Sequence, residues 1–167
     1  VDHRMDMIRN CLAAGKHVLT QKPFVIDLDI GIELCDLADR HNVKLAVNQN
    51  GRWAPHLAYM REAVHRGLIG DVASIRIALG WDHRWIRGTP FEQMHDIILF
   101  DFGIHWFDFI ASVMKRPPLS LSSLTTAAAW TGVRPPMSAT TVFDYGDAQA
   151  SLVFDAANAF GSIDSTF

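Results

Sequence analysis

The chain has 167 residues, 49% apolar and 20% charged, and fifteen Lys and Arg against eighteen Asp and Glu leave a net charge of −3. That balance excludes wholesale disorder, and no basic cluster stands out of the kind a nucleic-acid binder carries. No apolar run approaches the roughly 18 residues needed to span a bilayer, and the opening Val1-Asp2-His3-Arg4 is no signal peptide, so neither nucleic acid nor a membrane is an expected partner.

Residues 3–14 read as a helix, with Met5, Ile8, Cys11 and Leu12 at helical spacing. Gly15 follows, suited to a left-handed helix end. Residues 17–20 form a short strand, broken by Gln21-Lys22-Pro23-Phe24. Asp27 or Asp29 caps a second helix that runs to about His41, with Ile30, Leu34, Leu37 and Ala38 inward. Cys11 and Cys35, both in helical segments, make neither a disulfide framework nor a zinc site; two buried thiols in a reducing cytoplasm are expected. Residues 43–47 are a second short strand, apolar without alternation. Strand, helix, strand at this spacing is a parallel crossover unit, buried on both faces.

Pro55 opens a third helix, ended near Gly67 and Gly70. Residues 72–81 form a long strand and residues 81–93 an aromatic, charged loop. Residues 96–114 are the most apolar helix, stopped by Pro117-Pro118. Residues 119–130, 139–145 and 148–155 are strands, the last two joined by a hairpin at Gly146-Asp147, and residues 159–167 a further one. The fold class expected is α/β with an α+β second domain. Residues 1–50 give the tail of a parallel Rossmann-type sheet. Residues 51–167 give helices packed on a large, mostly antiparallel open sheet. The chain starts inside a helix and stops just after strand-like text, so both ends read as cuts through a larger protein.

Three segments carry side chains fit for chemistry. In Asp101-Phe102-Gly103-Ile104-His105-Trp106-Phe107-Asp108, positions 101, 105 and 108 differ by four and three and share one helix face. A carboxylate beside an imidazole tunes it for proton transfer near neutral pH. A buried Asp–His bond that only locks the helix fits the same spacing, as does, less well, a metal site completed by His95 or His83. Thr20-Gln21-Lys22-Pro23 follows a parallel strand, where ligand sites of open α/β sheets lie, and a Lys there meets an alkoxide or phosphate. Pro23 fixes the backbone and is a candidate for a cis bond. Asn48-Gln49-Asn50-Gly51-Arg52-Trp53 offers amides, a guanidinium and an aromatic face to a ligand with hydroxyls or an amide. Trp81, His83, Arg84 and Trp85 make another cluster, which suits either a loop over a pocket or core packing.

Taken together these segments resemble the Gfo/Idh/MocA oxidoreductases. Residues 14–23 are similar to that family's "aGKHVlxEKP" segment, residues 48–55 to "NxxRxxP", Gly67-Leu68-Ile69-Gly70-Asp71-Val72 to "GxIGxv", and residues 101–108 to "DxGxHxxD". The resemblance implies a Rossmann domain followed by an α/β domain, and hydride transfer between a sugar or cyclitol carbon and NAD or NADP. It implies Lys22, Asp101 and His105 as catalytic residues. His105 takes a proton from the substrate hydroxyl, Lys22 stabilises the alkoxide, and Asp101 orients substrate or His105. Gln21, Lys22, Pro23, Asn48 and Arg52 would touch the cofactor; Lys22, Trp81, Arg84, Asp101 and His105 the substrate. No metal is implied.

Two departures stand out. Gln21 replaces the usual Glu. No G-x-G-x-x-G occurs, so the cofactor would be held mainly by a segment before Val1, and the 167 residues by themselves would neither bind NAD(P) well nor turn over. A non-catalytic open-sheet oligomerisation domain and a metal-dependent sugar lyase or isomerase are the competing readings. In the Leu152-Val153-Phe154 strand both faces are apolar, so association with another copy through the sheet is expected.

Overall fold

The computed structural model of the protein describes residues 2–94, 96–159 and 164–166. They divide into two compact units, residues 1–50 and 51–167.

The first unit is α1 (Asp2–Ala13), β1 (Val18–Gln21), α2 (Leu28–Arg40) and β2 (Leu45–Asn48). β1 and β2 pair in parallel, Val18 with Leu45 through Gln21 with Asn48. Gly15, at φ +71°, lets the chain turn from α1 into β1. The Asp27 carboxylate accepts from the Asp29 N–H at 2.9 Å and caps α2, worth about 1 kcal/mol. Met5, Ile8 and Leu12 of α1 meet Leu34 and Ala38 of α2 and Val43 in a small core. Two expectations need correction here. Cys11 and Cys35 are exposed, because each sits one position, about 100° of helix, from the inward Leu12 and Leu34. The two-stranded sheet is also not buried on both faces: Thr20 is covered while Leu19 and Ala46 are open.

The second unit holds α3 (Pro55–His65), β3 (Ser74–Gly80), α4 (Ile104–Met114), β4 (Ser120–Thr126), β5 (Ser138–Asp144), β6 (Gln149–Asp155) and β7 (Asp164–Thr166). Its sheet runs β4-β5-β6-β3-β7. All neighbours are antiparallel except β3 and β6, which pair in parallel, Ser74 with Gln149 through Gly80 with Asp155. The turn between β5 and β6 has Gly146 at φ +84°. The strand expected over residues 159–167 lies partly outside the described residues; β7 is the part described.

Alternation decides the layers. Ala139 and Phe143, with Ala150, Leu152 and Phe154 and with Ile77 and Leu79, lie in one core with Trp106, Phe109, Ile110 and Val113 of α4, and Thr141 is buried between Ala139 and Phe143 along β5. The opposite face carries Thr140, Val142, Ser151, Val153, Arg76 and Ala78, all exposed or half-exposed.

The long apolar helix is not regular. Residues Ile98–Gly103 form a π-turn, and α4 starts only at Ile104. Gly103 permits it: a Cβ there would stand 3.0 Å from the Ile98 carbonyl oxygen. α4 ends on Lys115 in the left-handed conformation, before the prolines. The loop expected over residues 81–93 contains two short 3₁₀ turns, Arg84–Ile86 and Pro90–Gln93. Among the described residues no helix is long and apolar enough to cross a membrane.

Candidate functional site

In the first unit the parallel register places Gln21 and Asn48 side by side at the carboxyl ends of β1 and β2. That edge is where open α/β sheets take ligands. Past it, the Lys22–Pro23 peptide is cis. The Gln21 side-chain oxygen folds back to accept the Lys22 N–H at 3.1 Å. Lys22, Pro23 and Asn48 are half-buried. Beyond β2, the Gln49 side-chain oxygen is buried and accepts no hydrogen bond from any described residue. A buried acceptor left open costs about 1–3 kcal/mol, which a bound amide or hydroxyl donor would recover. Sequence reasoning noted the amides of this loop but assigned a role only to Asn48. It also missed Arg4 of α1, whose guanidinium donates to the carbonyls of Gln21 (3.1 Å), Pro23 (2.6 Å) and Phe24 (3.1 Å).

In the second unit Asp101 lies in the π-turn and His105 in the first turn of α4, both half-buried. Their i, i+4 relation therefore crosses the change from wide to ordinary helical turns, and the regular helix face expected for 101, 105 and 108 holds only from 105 onward. A 3₁₀ turn, Asn50–Trp53, packs on His105: a Cβ on Gly51 would sit 3.6 Å from its Nδ1. Arg52 belongs to this turn, and its guanidinium is committed to Asp108, Nε donating to Oδ2 at 3.0 Å and the second nitrogen bonding Oδ1. The Asp108 side chain is 12% exposed, and the pairing holds the Arg52 proton more tightly than usual. Arg61 ties the same turn by donating to the Arg52 carbonyl at 3.0 Å.

Trp81 follows β3 and stacks on His83, centroids 5.6 Å apart; His83 also meets Phe102 at 4.2 Å. His83 is 7% exposed, and burial lowers its pKa despite the opposing pull of Asp82. Neither the Trp81 indole N–H nor His83 Nδ1 has a hydrogen-bond partner among the described residues. Arg84 grips Asp82 through two 2.8 Å side-chain bonds, which with the Arg84 backbone N–H hold the Asp82 carboxyl down at about 2, and the same guanidinium lies 5.9 Å over Trp130. His95 lies outside the described residues, and no group of three metal-binding side chains occurs among the described ones. An apolar cleft of about 700 Å³ between α4, β4 and β5 is lined by Phe107, Leu121, Phe143 and Tyr145 and by none of the expected site residues.

Two family models match this chain: the GFO/IDH/MocA C-terminal domain over residues 57–167, and the oxidoreductase family with NAD-binding Rossmann fold over residues 2–49. A mouse trans-1,2-dihydrobenzene-1,2-diol dehydrogenase is 33% identical over 116 residues, covering 68% of this chain and 34% of the relative. An inositol 2-dehydrogenase of Rhizobium meliloti is 27% identical over 124 residues, 73% of this chain and 36% of the relative. The crystal structure of an inositol dehydrogenase homologue from Azotobacter vinelandii, complexed with NADH and myo-inositol, superimposes with a TM-score of 0.81 at 19% identity, over 96% of this chain and 44% of that one. The chain thus spans less than half the length of these relatives.

Proposed function

The chain belongs to the GFO/IDH/MocA oxidoreductase family, and from that premise we propose that it supplies the proton-transfer residues and the nicotinamide end of an NAD(P)-dependent oxidoreductase acting on a sugar or cyclitol hydroxyl. The observation that carries the reading is the register pairing Gln21 with Asn48, with the open acceptor of Gln49 just past it. A carboxamide N–H₂ fits that acceptor, so Gln21, Lys22, Asn48 and Gln49 are the residues that would hold the nicotinamide end. When bound, NAD(P) supplies the hydride acceptor.

The chain's own residues handle the proton. His105 accepts it from the substrate hydroxyl as the carbon gives up hydride. Lys22 offers an ammonium to the developing alkoxide, and Asp101 orients His105 or the substrate. Arg52, rather than reaching a cofactor, keeps the turn against His105 in place through Asp108. Trp81 gives the substrate an aromatic wall, while Arg84 is engaged by Asp82 and lies over Trp130.

Replacing His105 or Lys22 by Ala in the active enzyme is expected to cut kcat about 10²–10⁴-fold, the usual worth of a general base or an oxyanion donor. Near-normal turnover in either folded variant removes that residue from the mechanism.

The open sheet face belongs to the same proposal as a self-association surface. Val142 and Val153 are 43% and 42% exposed at its centre, and Leu124 is 70% exposed on β4. Small Ser, Thr and Ala side chains around them make a flat surface that a second copy can meet by two-fold symmetry. Val153→Glu should shift the sedimentation of the protein to monomer; an unchanged coefficient counts against the surface. Cytoplasmic placement rests on the two free, exposed thiols.

A further inference from the structure

We infer that Arg4 is a positioning residue for Lys22, an inference that rests on the proton-transfer reading of Lys22 given above. Three backbone carbonyls, those of Gln21, Pro23 and Phe24, converge on its guanidinium. The first closes the peptide group entering Lys22, and the second lies one residue after it. Lys22 therefore lies between two held peptide groups, the one that enters it and the one that follows Pro23.

The turn needs such a partner. β1 ends at Gln21 and α2 begins at Leu28, so the carbonyls between them have no strand ladder to join. Pro23 brings no N–H with which to close a local turn. The far end of the segment is fixed by the Asp27 cap. The near end is fixed by β1–β2 pairing. Between these anchors the guanidinium is the group that gathers the backbone, and a planar fork with five donors matches three carbonyls as a point-like ammonium cannot. The fork is in turn fixed by α1, because the adjacent Met5 is buried in the small core with Ile8 and Leu12. The position of Lys22 is thus set from a helix that contributes no reacting group. A catalytic ammonium misplaced by about 1 Å loses rate without losing binding to the same degree.

The test reads Lys22 directly. The full chain, as wild type and as Arg4→Ala, Arg4→Gln and Arg4→Lys, is trace-labelled with acetic anhydride. Acetylation of Lys22 is measured by mass spectrometry relative to Lys16, Lys44 and Lys115 in the same sample. Arg4→Ala is expected to raise the relative reactivity of Lys22 severalfold, Arg4→Gln similarly, and Arg4→Lys less. Methylguanidinium at non-denaturing concentration is expected to return the Arg4→Ala value toward wild type. In the active enzyme Arg4→Lys should lower kcat more than it raises KM. An unchanged Lys22 ratio in all three variants overturns the inference. So does an equal rise at Lys16 and Lys44, which would mean that the whole first unit has loosened. If the ratio responds while Lys22→Ala keeps normal turnover, the reaction reading falls and the positioning of the turn by Arg4 stands.

Discussion

The two units solve the burial problem at different scales. Among the described residues the first has six buried apolar side chains beneath two four-residue strands. The second has twenty-one, in a five-stranded sheet under two helices. The first unit ties its elements together with charges. Arg4 gathers three carbonyls, and on the same helix Arg9 bridges Glu33 of α2 at 2.8 and 2.9 Å. In the larger unit the Arg52–Asp108 ion pair and the Arg61 bond to the Arg52 carbonyl seat a turn on α4, whose apolar side chains pack in the main core. A small core leaves backbone to be fixed by hydrogen bonds that a large core fixes by shape.

The sharpest way to break this comparison is to hollow the larger core. Phe154 is fully buried, so Phe154→Ala is expected to cost about 3–5 kcal/mol. Urea unfolding followed by amide exchange in both units should show the loss in residues 51–167 only. If the first unit melts together with it, the units are not independent. Leu34→Ala is the mirror experiment. It is expected to cost about 2–5 kcal/mol and to strip protection from β1 and β2 while β5 and β6 keep theirs.

Acidity offers a finer probe, because the buried imidazole is in the larger unit. His83 has its pKa below the ordinary 6.5 through burial. The unfolded chain therefore takes up a proton first as pH falls below about 6.5, while the folded chain stays neutral. Stability is full above that value. It falls by up to about 1.4 kcal/mol per pH unit until the folded pKa is reached, and then levels. His83→Phe should remove this slope from the second unit's denaturation curve and leave the first unit's curve unchanged; a persistent slope would place its source elsewhere.

Much of the architecture was legible because local rules carry it. The parallel crossover announced itself through Val18, the Asp27 cap and the short run ending at Val47, and the β5–β6 hairpin through Gly146. The candidate site was legible as segments but not as contacts. Gln21 and Asn48 stood out as the residues just past two strands, yet their membership of the strands and their pairing are a matter of register. Arg52 reads from the sequence as a cofactor contact, and because Asp108 is distant in the chain only folding brings the two together. Arg4 gave no signal at all, since one basic residue on an amphipathic helix is ordinary. The π-turn was invisible for another reason: residues 96–114 have helical hydrophobicity throughout, and hydrophobicity does not report which carbonyl an N–H selects. The thiols were misjudged because helical spacing is a narrow criterion, and Cys11 and Cys35 miss the buried stripe by a single position.

The parallel pairing of β3 with β6 also fixes an order of events during synthesis. Each residue of β3 waits for a partner that emerges far later, Ser74 for Gln149 and Gly80 for Asp155. Until then β3 has no neighbour in the sheet centre, for β7 emerges later still. Residues 1–50, whose strand pairing closes over a short loop, can assume their final arrangement while the ribosome is still working on the rest. The larger and better-packed unit is therefore the later of the two, and Ile77 and Leu79 lack their β6 neighbours until Leu152 and Phe154 have been made. That interval is when a chaperone holding β3 would matter most.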